Sequence, residues 1–297
     1  MKAGFVSLVG RPNAGKSTLL NHLVGAKVAI VSDKPQTTRT RIVGAKTTPA
    51  GQIVFVDTPG IHRPLHRMNV RMVDLAVESI ADVDVITLVV DASVPGGAGD
   101  RFVLGLLEKR SGPVVLALNK IDLVAKPTLL PRIDWYRQQF EFATVVPVSA
   151  LTGDGVDALE SALLAELPEG EPLYPDDFLT DQPERVLAAE LVRERLLHHT
   201  RDELPFSTAV IVDRFVEPDE RGLLRLYCSI LVEHDSQKAI VIGRRGELIK
   251  RIGTEARHEL EAFFATRVYL DLHVKVKPNW RDDERLLHDL GLGRLHD

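Results

Sequence analysis

The sequence predicts an α/β domain with a mostly parallel sheet and helices on both faces, followed by a smaller α+β domain. Three observations carry this. Apolar strand-like runs alternate with helical patterns over residues 1–167, the pattern of a parallel sheet covered on both sides. The first such run, Phe5 to Val9, leads into a glycine-rich turn from Gly10 to Ser17 and then into a helix. Beyond a proline-rich, acidic break at Pro168–Asp177 the order of elements changes to α-β-β-α-α-β.

Bulk properties set the bounds. The 297 residues suffice for one large or two ordinary domains, and the apolar (44%) and charged (27%) fractions are those of a globular protein. Cys228 is the single cysteine, so no internal disulfide forms, which suits a reducing compartment. It sits in an alternating apolar stretch and reads as core. No apolar run reaches the length of a membrane span, and Met1–Gly4 leaves no room for a signal peptide before the first strand. The net charge of −5 does not itself suggest a nucleic-acid partner.

Taken in order, the turn reads Gly10-Arg11-Pro12-Asn13-Ala14-Gly15-Lys16-Ser17, the G-x-x-x-x-G-K-S pattern in its required strand–helix setting. Its glycines let backbone N–H groups of Asn13, Ala14, Gly15 and their neighbours through Thr18 point at phosphate oxygens, and the helix N-terminus favours the anion. Lys16 would reach the β- and γ-phosphates and the Ser17 hydroxyl would hold Mg²⁺. A helix follows over Thr18–Val24, then a polar, threonine-rich loop at Ser32–Arg41. A loop threonine can close over the γ-phosphate and give its hydroxyl to Mg²⁺, making the segment a switch; Thr38 is the choice for this role and Thr37 the fallback.

Strands at Arg41–Thr47 and Gln52–Val56, joined at Pro49-Ala50-Gly51, lead to Asp57-Thr58-Pro59-Gly60. Asp57 would sit in the Mg²⁺ shell, and Gly60 would offer an unobstructed N–H to the γ-phosphate. Further strands are expected at Val83–Val90, Pro113–Leu118 and Thr144–Val148, with helices at Asp100–Lys109 and Gly155–Leu167. The strand ending at Leu118 runs into Asn119-Lys120-Ile121-Asp122. A carboxylate there accepts from both N1–H and the 2-amino group of guanine, a pattern adenine lacks, so Asp122 selects the base. Asn119 would brace the loop, the Lys120 stem would lie over the ring, and Ser149-Ala150 would bring a backbone N–H to the guanine O6. The motifs all fall at the carboxyl ends of the strands, where ligands bind in such sheets.

Residues 168–183 read as the linker. Beyond it, a helix over Glu184–Glu203, strands over Ser207–Val216 and Leu223–Glu233 with a turn at Pro218–Gly222, a helix continuing to about Phe264 and a strand over Val268–Val276 form the second domain, 184–280, with 281–297 as a tail. Between two helices lies Ile242-Gly243-Arg244-Arg245-Gly246. Glycines at both ends admit a nucleic-acid backbone and the arginines neutralise phosphate. From Ser236 to Arg281 there are ten Lys/Arg against five Asp/Glu, a local surplus in an acidic chain. Ile242, Gly243, Arg244, Arg245, Gly246, Lys250, Arg251, Lys275 and Lys277 are the candidate RNA contacts. Cys/His metal spacing is absent, and His198-His199 read as surface or helix residues.

With these residues in hand the chain resembles the bacterial Era-type GTPases over nearly its whole length. The resemblance rests on residues 10–17, Gln36–Thr40, Asp57–Gly60, Asn119–Asp122 and Val148–Ala150, joined to Gly243–Gly246 and the tail Val274–Trp280 of a type II KH module. It implies an α/β P-loop GTPase domain followed by an α+β type II KH RNA-binding domain. It also implies GTP and GDP as ligands with Mg²⁺ as cofactor, catalysis resting on Lys16, Thr38 and Gly60, and binding of the 3′ end of 16S rRNA in aid of 30S assembly. The location implied is the cytoplasm, partly at the membrane surface; a monomer with no DNA partner is expected. Ras-like enzymes carry a glutamine where this chain has Ile61. Asn13, which in related GTPases helps to bind K⁺, suggests a monovalent cation offsetting the developing charge, and hence slow hydrolysis faster in K⁺ than in Na⁺. Three alternatives stay open at this stage: a P-loop ATPase or kinase, a GTPase whose second domain binds protein, and a non-enzymatic GTP-gated RNA-binding module.

Overall fold

The structure is a computed structural model describing residues 1–61, 67–108, 112–218, 220 and 222–292. Lys109, two positions of the 218–222 turn and the last five residues of the expected tail lie outside them. Two compact units result. Residues 1–31, 38–61 and Asn69–Asp181 form the first; Ser32–Thr37, Met68 and 182–292 form the second.

The first unit contains β1 (Lys2–Val9), α1 (Lys16–Val24), β2 (Ile42–Thr48), β3 (Gly51–Asp57), α2 (Arg67–Ala81), β4 (Val85–Asp91), α3 (Ala98–Leu107), β5 (Val114–Asn119), α4 (Leu129–Gln139), β6 (Thr144–Pro147) and α5 (Val156–Glu166). The sheet order is β2-β3-β1-β4-β5-β6, with β2 antiparallel to β3 and every other pair parallel. β1 lies between β3 and β4, so the chain leaves it once to each side. The phosphate loop therefore sits at a topological switch point, where the crevice opens.

Both faces of the sheet are apolar, as period-two alternation requires when helices cover each side. Val115 and Ala117 of β5 join Leu19, Leu20, Leu23, Leu159 and Leu163 of α1 and α5; Val114, Leu116 and Leu118 join Leu104, Leu107, Ile80 and Tyr136 on the other side. α2 and α4 have no counterpart in the sequence reading. Buried Met68, Met72, Ala76 and Ile80 fall at i, i+4 steps along α2, a helical stripe.

The expected linker is ordered against the first unit. Ala3 N donates to Pro168 O (3.1 Å), Gly170 N to Met1 O (2.8 Å) and Ala45 N to Leu179 O (3.0 Å). Tyr174 and Phe178 stack at 4.1 Å and pack with Phe5 on Val43, Ala45 and Val54.

In the second unit, α6 (Glu184–His199) ends four residues before the expected Glu203; after Thr200 a one-turn helix, α7 (Leu204–Ser207), begins with Pro205 inside its first turn. Then come β7 (Ala209–Val216), β8 (Leu223–Val232), α8 (Asp235–Ile242), α9 (Glu247–Phe264), β9 (Arg267–Val276) and α10 (Glu284–Leu287). β7 pairs antiparallel and β9 parallel to β8. Cys228 is fully buried in β8. Trp280 is buried and its indole N–H donates to Ser207 O at 2.9 Å. Leu286, Leu287 and Leu292 are buried beyond it, so the described part of the expected tail is packed.

Candidate nucleotide site and nucleic-acid interface

Each motif is held by its local fold. Gly15 has φ 91°, and a Cβ there would lie 2.3 Å from Asn119 Nδ2, so only glycine fits between the loop and the base-binding segment. Asn13 also takes a left-handed conformation, φ 62°, and stands exposed at the loop's outer turn. Lys16 is buried, its ammonium donating to the Gly10 and Arg11 carbonyls at 3.3 Å each. Ile61 N donates to Gly10 O at 3.2 Å, which draws Gly60 against the loop. Thr58 is buried and donates to Leu8 O at 2.9 Å, anchoring the Asp57–Gly60 turn to β1.

Three oxygen groups converge beside Lys16. Ser17 Oγ donates to Asp57 Oδ2 at 2.6 Å; Thr38 Oγ1 lies 2.7 Å from Ser17 Oγ and 3.3 Å from the same carboxylate oxygen. Thr37 turns away, its hydroxyl donating to Lys34 O at 2.6 Å. Asp57 is fully buried, and its Oδ1 has no hydrogen-bond partner. A buried carboxylate oxygen left unpaired is costly. Beside two hydroxyls it matches the hard-oxygen donors that suit Mg²⁺, which keeps several waters and binds through few protein groups. Burial pushes the Asp57 carboxyl up from its ordinary value, with Lys16 pulling the other way. The Lys16 ammonium is pushed down, again by burial, with Asp57 opposing.

The base-binding segment is equally braced. Asn119 Nδ2 donates to Ala14 O (2.8 Å) and its Oδ1 accepts from Ala150 N (2.9 Å), joining three motifs through one side chain. Ser149 Oγ donates to Asp122 Oδ1 at 2.6 Å, orienting an otherwise exposed carboxylate. Lys120, with φ 63°, reaches Asp91 at 2.6 Å. Asp91 escapes the sequence reading, as does Asn21. The Asn21 side chain accepts from Val28 N and Ala29 N (2.9 Å each) and donates to Ala29 O (2.8 Å), shaping the chain that leaves α1.

In the second unit, Gly243 (φ 75°) and Gly246 (φ 79°) bracket the two arginines at the α8–α9 junction. A Cβ on Gly243 would come within 2.7 Å of Leu248 Cβ and 2.9 Å of Leu248 N. Arg245 is itself left-handed, φ 54°. Arg244, Arg245, Lys250 and Arg251 are exposed, and among the described residues none has an ion-pair partner. Lys250 and Arg251 line an open concavity on α9 with Thr254 and two glutamates, Glu247 and Glu255. Lys275 and Lys277 differ: they pair with Asp213 (3.3 Å) and Asp283 (2.7 Å).

A switch-point phosphate loop, a Ser–Thr–Asp oxygen cluster and an Asn-Lys-x-Asp segment, followed by a three-stranded α+β unit with a Gly-x-x-Gly turn, define a P-loop GTPase carrying a KH domain. Residues 5–120 match the family of 50S ribosome-binding GTPases and 204–281 match the KH domain. The chain is 48% identical to the GTPase Era of Geobacter metallireducens over 98% of its own length and 97% of that protein. It is 50% identical to the GTPase Era of Geotalea daltonii over 97% of each. The chain belongs to the Era GTPase family. Among solved structures, an Aquifex aeolicus Era variant bound to GDP·AlF4⁻ is 40% identical with a TM-score of 0.94, covering 99% of this chain and 100% of that one. Era in complex with MgGDPNP and nucleotides 1506–1542 of 16S ribosomal RNA is 41% identical with a TM-score of 0.95 and the same coverage.

Proposed function

We propose that this chain hydrolyses GTP at the phosphate loop, holds the 3′ end of 16S rRNA on the second unit, and assists 30S subunit assembly, with the nucleotide state gating RNA binding. The convergence of Ser17, Thr38 and the half-paired Asp57 beside Lys16 carries the reading. Ser17, Thr38 and Asp57 would hold Mg²⁺, which would supply positive charge to offset charge developing on the phosphates. The chain's own groups do the rest. Lys16 neutralises the terminal phosphates, the loop amides from Asn13 to Thr18 cradle them, and the Gly60 N–H stands on the γ side. Thr38 connects that cluster to the loop that precedes β2, so loss of the γ-phosphate releases the loop. Asp122, Asn119 and Lys120 select guanine, which argues against an ATPase; the Ala150 N–H expected at the guanine O6 is instead held by Asn119 Oδ1.

Ile61 is 3% exposed and packs with Val9, Ala76 and Ile80, so its side chain is withdrawn from the reacting phosphate. We therefore assign charge compensation to K⁺ held by Asn13, which stands exposed on the loop. The GTPase domain spans 1–167 with the 168–181 segment packed against it, and the KH domain spans 184–280 with 281–292 packed beyond it. The protein acts as a cytoplasmic monomer; among the described residues no helix is long and apolar enough to cross a membrane. Association with the membrane surface comes from the resemblance alone.

The test is binding of a 3′-terminal small-subunit rRNA oligonucleotide to the whole protein with a GTP analogue and with GDP. Tight binding favoured by the GTP form and lost in Arg244→Glu/Arg245→Glu is expected; absence of binding in both states removes the RNA assignment. Hydrolysis should be faster in K⁺ than in Na⁺, and equal rates remove the cation from Asn13.

A further inference from the structure

The phosphate loop is fastened from behind at its outer turn. Arg11 stands where the loop turns. Its carbonyl accepts from Ala14 N and from Lys16 Nζ, both at 3.3 Å. Its guanidinium points to the first turn of α3, where Nη1 donates to Asp100 Oδ2 at 3.1 Å. The Asp100 side chain is 7% exposed. The same oxygen accepts from Gly97 N at 2.9 Å, and Tyr136 of α4, itself buried, lies close enough to the carboxylate that burial and the Asp100 charge both push its phenol up. At Gly99, a Cβ would come within 2.8 Å of Arg11 Nε, so the helix start leaves room for the guanidinium. A cavity of about 170 Å³ lies between these groups and the loop, bordered by Arg11, Asn13, Val89, Asp91 and Tyr136.

An acidic residue in the first turn of a helix ordinarily needs no more than backbone N–H partners. Asp100 has one of those, and two side chains from separate elements meet it as well. One comes from the phosphate loop and the other from α4. Burying a carboxylate is costly unless it is paired and hydrogen-bonded, so Arg11 and the Gly97 N–H fix Asp100 and Asp100 in turn fixes Arg11.

We propose that Asp100 is a positioning residue for nucleotide binding. By holding Arg11 with Tyr136 behind it, Asp100 keeps the outer wall of the loop, from Gly10 to Asn13, in its phosphate-binding shape before the nucleotide arrives. The inference rests on the nucleotide-site reading and adds to it a residue outside every nucleotide motif. Preorganisation lowers the cost of ordering the loop and shows chiefly in the dissociation rate. The opposite effect is conceivable on Coulombic grounds: a freed Arg11 brings positive charge nearer the phosphates and slows release. The sign of the change therefore separates the two.

The experiment follows release of a fluorescent GDP analogue from the full chain and from Asp100→Asn, Arg11→Gln and the double variant. Failure of the unaltered protein to bind the analogue would count against the nucleotide site itself, separately from this inference. Loss of a charge-assisted contact predicts release about tenfold faster in each single variant. The double variant should be no faster than the faster single, because both remove one shared interaction. The KM for GTP should rise several-fold more than kcat falls, and Tyr136→Phe should act in the same direction. Unchanged or slower release in Asp100→Asn overturns the proposal. So do multiplying effects in the double variant, or a lowered melting temperature with unaltered release, which would confine Asp100 to capping α3.

Discussion

Lys16 and Asp57 are opposite charges, both buried, at the point where a triphosphate arrives. Burial holds the Lys16 ammonium below its ordinary value of 10.5, only partly offset by Asp57. Anionic phosphate oxygens favour the charged form and restore it. Binding is then linked to proton uptake between the depressed value of the free protein and the restored value of the complex, and affinity falls as pH rises through that window. Calorimetry of GDP binding across a pH series, in two buffers of different ionisation enthalpy, should show proton uptake per nucleotide within that window. No uptake would mean that Lys16 is fully charged before binding. The residues of this site were legible because their chemistry is local. Backbone amides cradle phosphate over consecutive positions, and Asn119 and Asp122 act from one short segment. Asp91, Asp100 and Tyr136 were not legible, because each takes its role from a partner far away in sequence: Lys120 for Asp91, and Arg11 for Asp100 and through it Tyr136.

At the scale of elements, the segment after Leu167 changes character between sequence and structure. Prolines and acids mark a linker, yet it is pinned to β3 by Gln52, which is fully buried. Gln52 Oε1 accepts from Leu173 N (2.7 Å) and Tyr174 N (3.0 Å), and its Nε2 donates to Tyr174 O (2.8 Å) and Thr47 Oγ1 (2.9 Å). Gln52→Leu keeps the bulk but strands those backbone groups, at about 1–3 kcal/mol for each one left buried and unpaired. The expected loss is about 3 kcal/mol in urea unfolding, with faster amide exchange at Leu173 and Tyr174; unaltered exchange there would show that the segment is held by the Tyr174–Phe178 stack alone. Composition could not reveal this, since a chain that lies on an apolar patch and one that hangs free can share prolines and acids. The strands were readable because burial on both faces leaves continuous apolar runs. α2 was readable from its Met68, Met72, Ala76 and Ile80 spacing, a stripe that the strand-centred reading passed over. α4 gave less, since Pro131 stands inside it and Leu130 is exposed.

For the whole molecule, the net charge of −5 opposes association with RNA, so the proposed binding depends on where cations remain uncommitted. Ten Lys/Arg fall between Ser236 and Arg281, but they are not equivalent. Arg257 pairs with Glu261, Lys275 with Asp213, Lys277 with Asp283 and Arg281 with Glu233. Arg244, Arg245, Lys250 and Arg251 keep exposed charges without such partners among the described residues. Each phosphate neutralised on a single strand contributes about −0.7 to the slope of log K against log salt. The four exposed cations clustered at the α8–α9 junction predict a slope of about −3, well short of what all ten would give. Arg244→Gln/Arg245→Gln should flatten it by about 1.4, whereas Lys275→Gln should change it little, because that charge already faces a carboxylate. The measurement is RNA affinity against potassium chloride concentration with the GTP analogue bound. A slope that survives the arginine double variant unaltered would place the RNA backbone away from the α8–α9 junction. A slope that flattens equally with Lys275→Gln would mean that RNA displaces Asp213 and extends its contact along β9.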